Sequence, residues 1–355
     1  MQMSSAELET EARRLHGKLH MSSKKKAFVT GATGFLGLNL IEELSSAGYE
    51  VTALHRPTSD LRFLGRFDAK RVVGTITDKA TLESAMEDGV DVVFHLAANT
   101  NVWAPNNATQ TLDNVDGTRN MVNVALAKGA KRFVHTSSSS VFGLGDGPFN
   151  EDSPLLGRNS WVNYLRTKSL ADDLVREAAS RGLSTVVMRP GHIMGKYDRG
   201  NWATLIKLVA RENLPGIPSG SGCFCNGREV AKAHIRAAEG DTGFEVFVLG
   251  GPQATLVELV RVIGEITGKR APNRATPAVV LRAAARVYGA ISALTGKEPR
   301  VTPEGVAIAT HNLRVDDRKA RKELGYAHVP VHETVRQSYE FLRDESLLQA
   351  PPRFG

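Results

Sequence analysis

Tyr164 and Lys168 stand four residues apart in Trp161 to Ser180, a stretch whose pattern predicts a helix, so both side chains share one helical face. An ammonium beside a phenol favours the phenolate. Bringing a phenol from a pKa near 10 to about 7 takes roughly 4 kcal/mol, at about 1.4 kcal/mol per unit. A pair so placed can do acid/base chemistry near neutral pH. Tyr-x-x-x-Lys arises often by chance, and its meaning here comes from chain order. A hydroxyl run, Thr136-Ser137-Ser138-Ser139-Ser140, lies upstream at a predicted strand end, and a glycine turn lies before that.

That turn is AFVTGATGFLG, Ala27 to Gly37. Strand-forming Ala27 to Thr30 runs into Gly31, Thr33, Gly34 and Gly37, after which Leu38, Leu40, Ile41 and Leu44 repeat at helical spacing. A strand, a glycine turn and a helix start in this order suit a dinucleotide pyrophosphate. One glycine allows positive φ, one has no Cβ to hold phosphate away, and one lets helix and strand pack closely. The helix N–H groups and dipole then face the anion. About twenty residues on, the second strand (Glu50 to Leu54) ends in His55-Arg56-Pro57-Thr58-Ser59-Asp60. An acidic residue at its tip would bind a ribose 2′-hydroxyl, but Arg56 stands there, suited to a 2′-phosphate, so NADP is expected over NAD.

Strand and helix then alternate. Strands are expected at Lys70 to Val73, Asp91 to Leu96 and Arg132 to Thr136, with helices near Lys79 to Glu87 and Asn107 to Lys128. The apolar run Val92-Val93-Phe94 suits a strand covered on both faces, and the small residues Ala97-Ala98 at its carboxyl end lie where an open α/β sheet binds ligands. The expected fold is α/β: a Rossmann doubly wound parallel sheet with a smaller carboxyl-terminal substrate-binding lobe. Residues 1–23 read as an extension, 24–195 as the nucleotide-binding domain, and 196–355 as mainly the lobe, partly packed back on that domain.

The 355 residues carry a net charge of +7 and are 41% hydrophobic, ample for a core. The basic residues are scattered, with Lys24-Lys25-Lys26 the only run, so no nucleic-acid partner is expected. Cys223 and Cys225 are the only cysteines; they read as structural thiols, no metal is expected, and a cytoplasmic location is the default. Ala278 to Leu294 is apolar but broken by Arg282 and Arg286, so it is no membrane span; it reads as packed core, with roofing of the active site or contact with a lipid-like substrate as the alternative. Arg211 to Cys225 reads as a Pro/Gly-rich loop near the cleft, and Arg228 to His234 as a helix start. Leu256 to Gly264 and Val331 to Leu342 read as amphipathic helices closing the lobe, and His192 and His234 as structural.

Taken together, these motifs resemble the extended short-chain dehydrogenase/reductases, and among them the dihydroflavonol reductases and 3β-hydroxysteroid dehydrogenases. The resemblance spans about Lys26 to Asp344 and rests on TGATGFLG at Thr30, HRPTSD at His55, HLAA at His95, DNVDGT at Asp113, TSSSSVFG at Thr136, YLRTK at Tyr164 and RPGHIMG at Arg189. It implies Tyr164 as acid/base, Lys168 as its partner on the nicotinamide ribose, and Ser138, counted back from Val141-Phe142-Gly143, as the catalytic serine with Ser137 and Ser139 as its neighbours in register. Phe35 and Leu36 would meet the pyrophosphate, Leu96 to Ala98 and Asn114 would lie near the cofactor, and Pro190, Gly191 and His192 would meet the nicotinamide amide. The family commonly has Asp after the third strand for adenine; here Gly74-Thr75-Ile76 stands, so that contact passes to Thr75 and Ile76.

What the resemblance implies is an NADP-dependent ketoreductase or alcohol dehydrogenase, transferring hydride to the carbonyl of a small, fairly apolar substrate while Tyr164 protonates its oxygen and Ser138 holds it. The alternative is a nucleotide-sugar epimerase or dehydratase with tightly bound NAD. Leu214 to Cys225 has no Lys or Arg for a sugar diphosphate, which favours the first. A homodimer is expected from the resemblance.

Overall fold

The computed structural model describes residues 24–349 apart from positions 146, 241, 242 and 300. The extension expected at 1–23 lies outside the described residues.

The chain enters through β1 (Lys26–Thr30), turns at the glycines and continues into α1 (Phe35–Ser46) and β2 (Glu50–His55). Next come β3 (Lys70–Val73), α2 (Lys79–Ala85) and β4 (Val92–His95). The long helical stretch expected after β4 is split into α3 (Asn107–Thr111), a π-helical turn over Leu112–Asp116, and α4 (Gly117–Ala127). β5 (Phe133–Thr136), α5 (Asn163–Ser180) and β6 (Thr185–Pro190) follow, and then β7 (His192–Met194) and α6 (Asn201–Ala210). The remainder is β8 (Ser221–Asn226), α7 (Gly227–Ala238), β9 (Phe244–Leu249), β10 (Gln253–Thr255), α8 (Leu256–Thr267), α9 (Ala278–Thr295), α10 (Pro303–Ala309), α11 (Arg318–Glu323) and α12 (Val331–Asp344).

Seven strands pair in the order β3-β2-β1-β4-β5-β6-β9, every pair parallel. The order reverses between β1 and β4, and that switch point is where such a sheet opens a ligand crevice at its carboxyl edge. β9 comes from the segment read as mainly substrate lobe, so the carboxyl-terminal part of the chain completes the nucleotide-binding sheet.

Alternation along β1 serves two layers. Ala27 and Val29 face a core shared with Leu38, Ile41 and Leu44 of α1 and with Val230 and Ala233 of α7; Phe28 faces a second core with Leu82, Val122 and Val175. Each fully buried aliphatic or aromatic side chain contributes about 1.5–3 kcal/mol. Two glycines set the local geometry of the turn. Gly31 has φ +69°, and a Cβ on it would stand 2.8 Å from the Ala97 nitrogen. A Cβ on Gly37 would stand 2.1 Å from the Gly31 carbonyl oxygen. The strand-to-helix turn closes only with glycine at both positions.

A second sheet, β10-β8-β7, bridges the Rossmann layer and the lobe. It corrects one expectation: Ser221–Cys225, read as part of a loop, are strand, because β8 finds β7 on one side and β10 on the other. Cys223 and Cys225 sit buried on that strand as free thiols, with burial pushing the Cys223 thiol up to about 12.

A larger correction concerns α9. Only Ala285 and Ser292 are buried along it, while Val279, Val280, Val287, Ile291 and Leu294 are exposed. This helix is not packed core.

Candidate active site

A cleft of about 640 Å³ opens at the carboxyl edge of the sheet, between the glycine turn and the lobe. The turn, α5 and the serine run form its inner walls. Val102, Leu144, Trp202, Leu256, Ile308 and Leu313 form much of the outer ones.

β5 delivers the serine run. Ser138 is extended (φ −161°) and caps a 3-10 turn over Ser139–Phe142, its hydroxyl accepting from the Ser140 N–H at 3.1 Å. In this conformation Ser137 and Ser139 are buried, while Ser138 and Ser140 are half-buried beside Tyr164, the Ser140 hydroxyl oxygen itself being buried with no hydrogen-bond partner among the described residues. Of the three serines in the expected register, Ser138 is therefore the one aimed at the phenol. Ser140 joins it there, and nothing in the sequence set it apart from its neighbours.

Tyr164 and Lys168 occupy successive turns of α5, and both line the cleft. Burial raises the phenol above its ordinary value of 10, against the pull of the Ser138 and Ser140 hydroxyls. This reverses the expected lowering by Lys168. The ammonium instead donates to the Thr136 carbonyl at 2.7 Å, and burial lowers it to about 8 while Asp172 pulls it up. Desolvation outweighs the two hydroxyls: at neutral pH the phenol keeps its proton and the lysine its charge.

Behind Lys168 lies a buried polar cluster. Asp172, one further turn along α5, accepts from Arg189 Nε at 3.0 Å and stands 3.8 Å from His135 Nε2. Thr136 is held from its other side, its hydroxyl 2.8 Å from His234 Nε2, whose ring also meets the Val230 carbonyl. His234 is thus a brace for the carbonyl that holds Lys168. His192 packs edge-on to Trp202 in the cleft wall, and burial lowers its ring to about 4.

The expected cofactor residues divide into two groups. Gly31, Gly34, Phe35, Leu36, Gly37, Leu96, Ala98, Pro190, Gly191 and His192 line the cleft with Tyr164 and Lys168. Thr33, Arg56, Thr75, Ile76, Ala97 and Asn114 are not among its lining residues. The Thr33 carbonyl accepts from Arg199 at 2.8 Å, and Ala97 donates its N–H to the Thr30 hydroxyl. Arg56 and Thr75 follow β2 and β3 at the same carboxyl edge, with Arg56 exposed; Thr75 bonds Thr77 at 3.0 Å, and Ile76 packs against Gly117. Asn114 departs furthest from expectation. Its amide accepts from the Asn99 N–H (2.7 Å) and donates to the Asn99 carbonyl (2.9 Å) and the Thr167 hydroxyl (3.1 Å). Those three bonds pin the loop after β4 to α5 and hold the π turn, so the side chain positions Tyr164's helix.

The cradle fits a dinucleotide. Gly31 and Gly37 admit no side chain, Gly34 is exposed, and the unpaired amide end of α1 opens into the cleft.

The residue pattern that defines the NAD dependent epimerase/dehydratase family matches residues 27–250. The chain belongs to that family. Its curated relatives include the 4-hydroxy-2-methyl-3-oxo-4-farnesyl-3,4-dihydroquinoline-1-oxide ketoreductase of Stigmatella aurantiaca, 31% identical, covering 87% of this chain and 93% of the relative. The Sterol demethylase protein B of Methylococcus capsulatus is 26% identical over 90% of this chain and 99% of its own. Among solved structures, that of gox2253 superposes with a TM-score of 0.78 at 30% identity, covering 91% of this chain and 99% of that one. The chain is an NAD(P)-dependent enzyme of the epimerase/dehydratase family, with reductase and dehydrogenase relatives acting on hydroxyl and keto groups.

Proposed function

We propose that this enzyme is an NADPH-dependent ketoreductase whose substrate is a sizeable apolar carbonyl compound. One observation carries the reading: among the described residues that line the cleft, Lys168 is the only Lys, Arg, Asp or Glu side chain, and the outer wall is mostly aliphatic and aromatic, with Thr100, Asn201, Ser221 and His311 as its polar members. A nucleotide-sugar diphosphate would meet no guanidinium there, whereas an isoprenoid or polycyclic body would bury apolar area. The farnesyl and sterol compounds in the names of the two curated relatives are of that kind.

Bound nicotinamide would supply the hydride, and the residues in place suit the rest of the reaction. Tyr164 holds a proton at neutral pH and gives it to the carbonyl oxygen, while the Ser138 hydroxyl donates a hydrogen bond to that oxygen as negative charge develops. The buried Lys168 ammonium then stabilises the phenolate left behind. Arg56, exposed at the tip of β2 with no ion-pair partner among the described residues, is the proposed 2′-phosphate contact and the reason for NADPH.

The test is NADPH and NADH consumption against a panel of farnesyl-bearing, steroidal and aromatic ketones, with the Tyr164→Phe enzyme as control. The expected result is NADPH oxidation favouring the bulky apolar ketones and a roughly 100- to 10,000-fold lower turnover in the variant. Stoichiometric co-purified NAD, no net consumption and interconversion of nucleotide sugars would replace this reading with an epimerase.

A further inference from the structure

α9 carries an apolar stripe with nothing on it. Val280, Val287, Ile291 and Leu294 fall on one side at helical spacing, and Leu294 is 89% exposed. On the opposite side, Ala285 and Ser292 pack the helix down onto the protein. α9 packs against α10, and α10 supplies Gly305, Ile308 and Ala309 to the cleft. The exposed stripe is therefore next to the wall of the active site.

Its charge surroundings point to one kind of partner. From Ile266 to Lys297 the sequence has six cations (Lys269, Arg270, Arg274, Arg282, Arg286 and Lys297) and no Asp or Glu. Arg282 and Arg286 flank the stripe along one edge, both exposed. Neither they nor Arg270 and Arg274 have an ion-pair partner among the described residues; Lys269 reaches Glu212 at 3.7 Å. A second copy of the chain, docked through the same face, would set arginine against arginine with no carboxylate on the helix to neutralise them. An anionic lipid surface satisfies both features, since its acyl boundary takes the apolar stripe and its headgroups take the guanidinium edge. By length and composition alone the 18-residue helix could cross a bilayer. Its packed side and the two arginines along its middle suit it to lie in the interface instead.

We propose that α9 docks the enzyme on an anionic membrane surface, placing the active-site cleft beside the lipid boundary. The inference does not depend on the substrate reading, because docking is read without turnover.

The experiment is co-sedimentation of the full-length protein with vesicles of phosphatidylcholine alone and of phosphatidylcholine with phosphatidylglycerol in equal parts. Expected is binding to the anionic vesicles that weakens as salt rises. Replacing both arginines (Arg282→Gln with Arg286→Gln) should lower partitioning about 25-fold, at roughly five-fold per charge. Val287→Ser with Leu294→Ser should lower it at least about ten-fold at low and high salt alike. All four positions are exposed, so unchanged thermal unfolding midpoints separate lost docking from lost fold. Absence of vesicle binding by the wild type, or undiminished binding by both double variants, overturns the proposal. So does conversion of a dimer to a monomer by the serine pair without any vesicle binding, which would make a second copy the occupant.

Discussion

Asp172→Asn offers the sharpest test of how the acid/base pair is set. Asp172 follows Lys168 by one turn of α5, both are buried, and its carboxylate accepts from Arg189 Nε at 3.0 Å. Burial holds the Lys168 ammonium down at about 8, and Asp172 is the charge that resists this. Side chains four apart on a helix lie about 6 Å from one another, and at an effective dielectric of about 20 a unit charge there contributes roughly 3 kcal/mol, up to about two pKa units. Asparagine keeps the shape and removes that charge; a loss of about 1.5 of those units puts the lysine at about 6.5. Lysine acts as a cation, and activity is therefore lost as pH rises through its folded-state value. At pH 7.5 the charged fraction falls from roughly three quarters to about one tenth, an eight-fold loss in kcat/KM, while at pH 6 the loss is under about two-fold. The assay is the pH profile of kcat/KM for NADPH oxidation between pH 5.5 and about 9. Leaving Arg189 buried without its partner should also cost about 3–5 kcal/mol of stability, read by urea unfolding, and Asp172→Glu should recover most of both effects. An alkaline limb that stays where it is in a folded Asn variant would refute the electrostatic account of Lys168.

Two further outcomes follow from the same geometry. Arg56→Glu should reverse cofactor choice by replacing a phosphate partner with a repelling carboxylate; an unchanged ratio of kcat/KM for NADPH over NADH removes Arg56 from the nucleotide site. His95 and His234 are buried and His192 is half-buried in the cleft wall, with desolvation lowering His95, His192 and His234 to about 3, 4 and 4. The unfolded chain therefore takes up protons first as pH falls below about 6.5, and stability present above that pH is lost on the way down to about 4. Each ring accounts for on the order of 3 kcal/mol at full protonation of the unfolded state. Urea midpoints at pH 7, 5.5 and about 4.5 should decline steeply, and a flat series would mean the rings are not buried neutral.

The sequence by itself determined the features whose signals are local. Gly31, Gly34 and Gly37 announce the turn because the strand, the close approach and the helix start are neighbours in the chain, and the tight backbone contacts at Gly31 and Gly37 leave no room for a Cβ. Tyr164 and Lys168 share a helical face by periodicity alone, and strand-helix alternation implies the parallel sheet. The tertiary structure decided everything that depends on what lies opposite a side chain. The phenol of Tyr164 titrates upward because distant segments bury it, and Ser138 and Ser140 were separated from Ser137 and Ser139 by the conformation of the run. Asn114 became a clamp because Asn99 and Thr167 are brought to it from 15 and 53 residues away. α9 shows the same limit from outside: its apolar period is plain in the sequence, but a period cannot say whether core or solvent faces it. That is settled only by which other elements the fold places alongside.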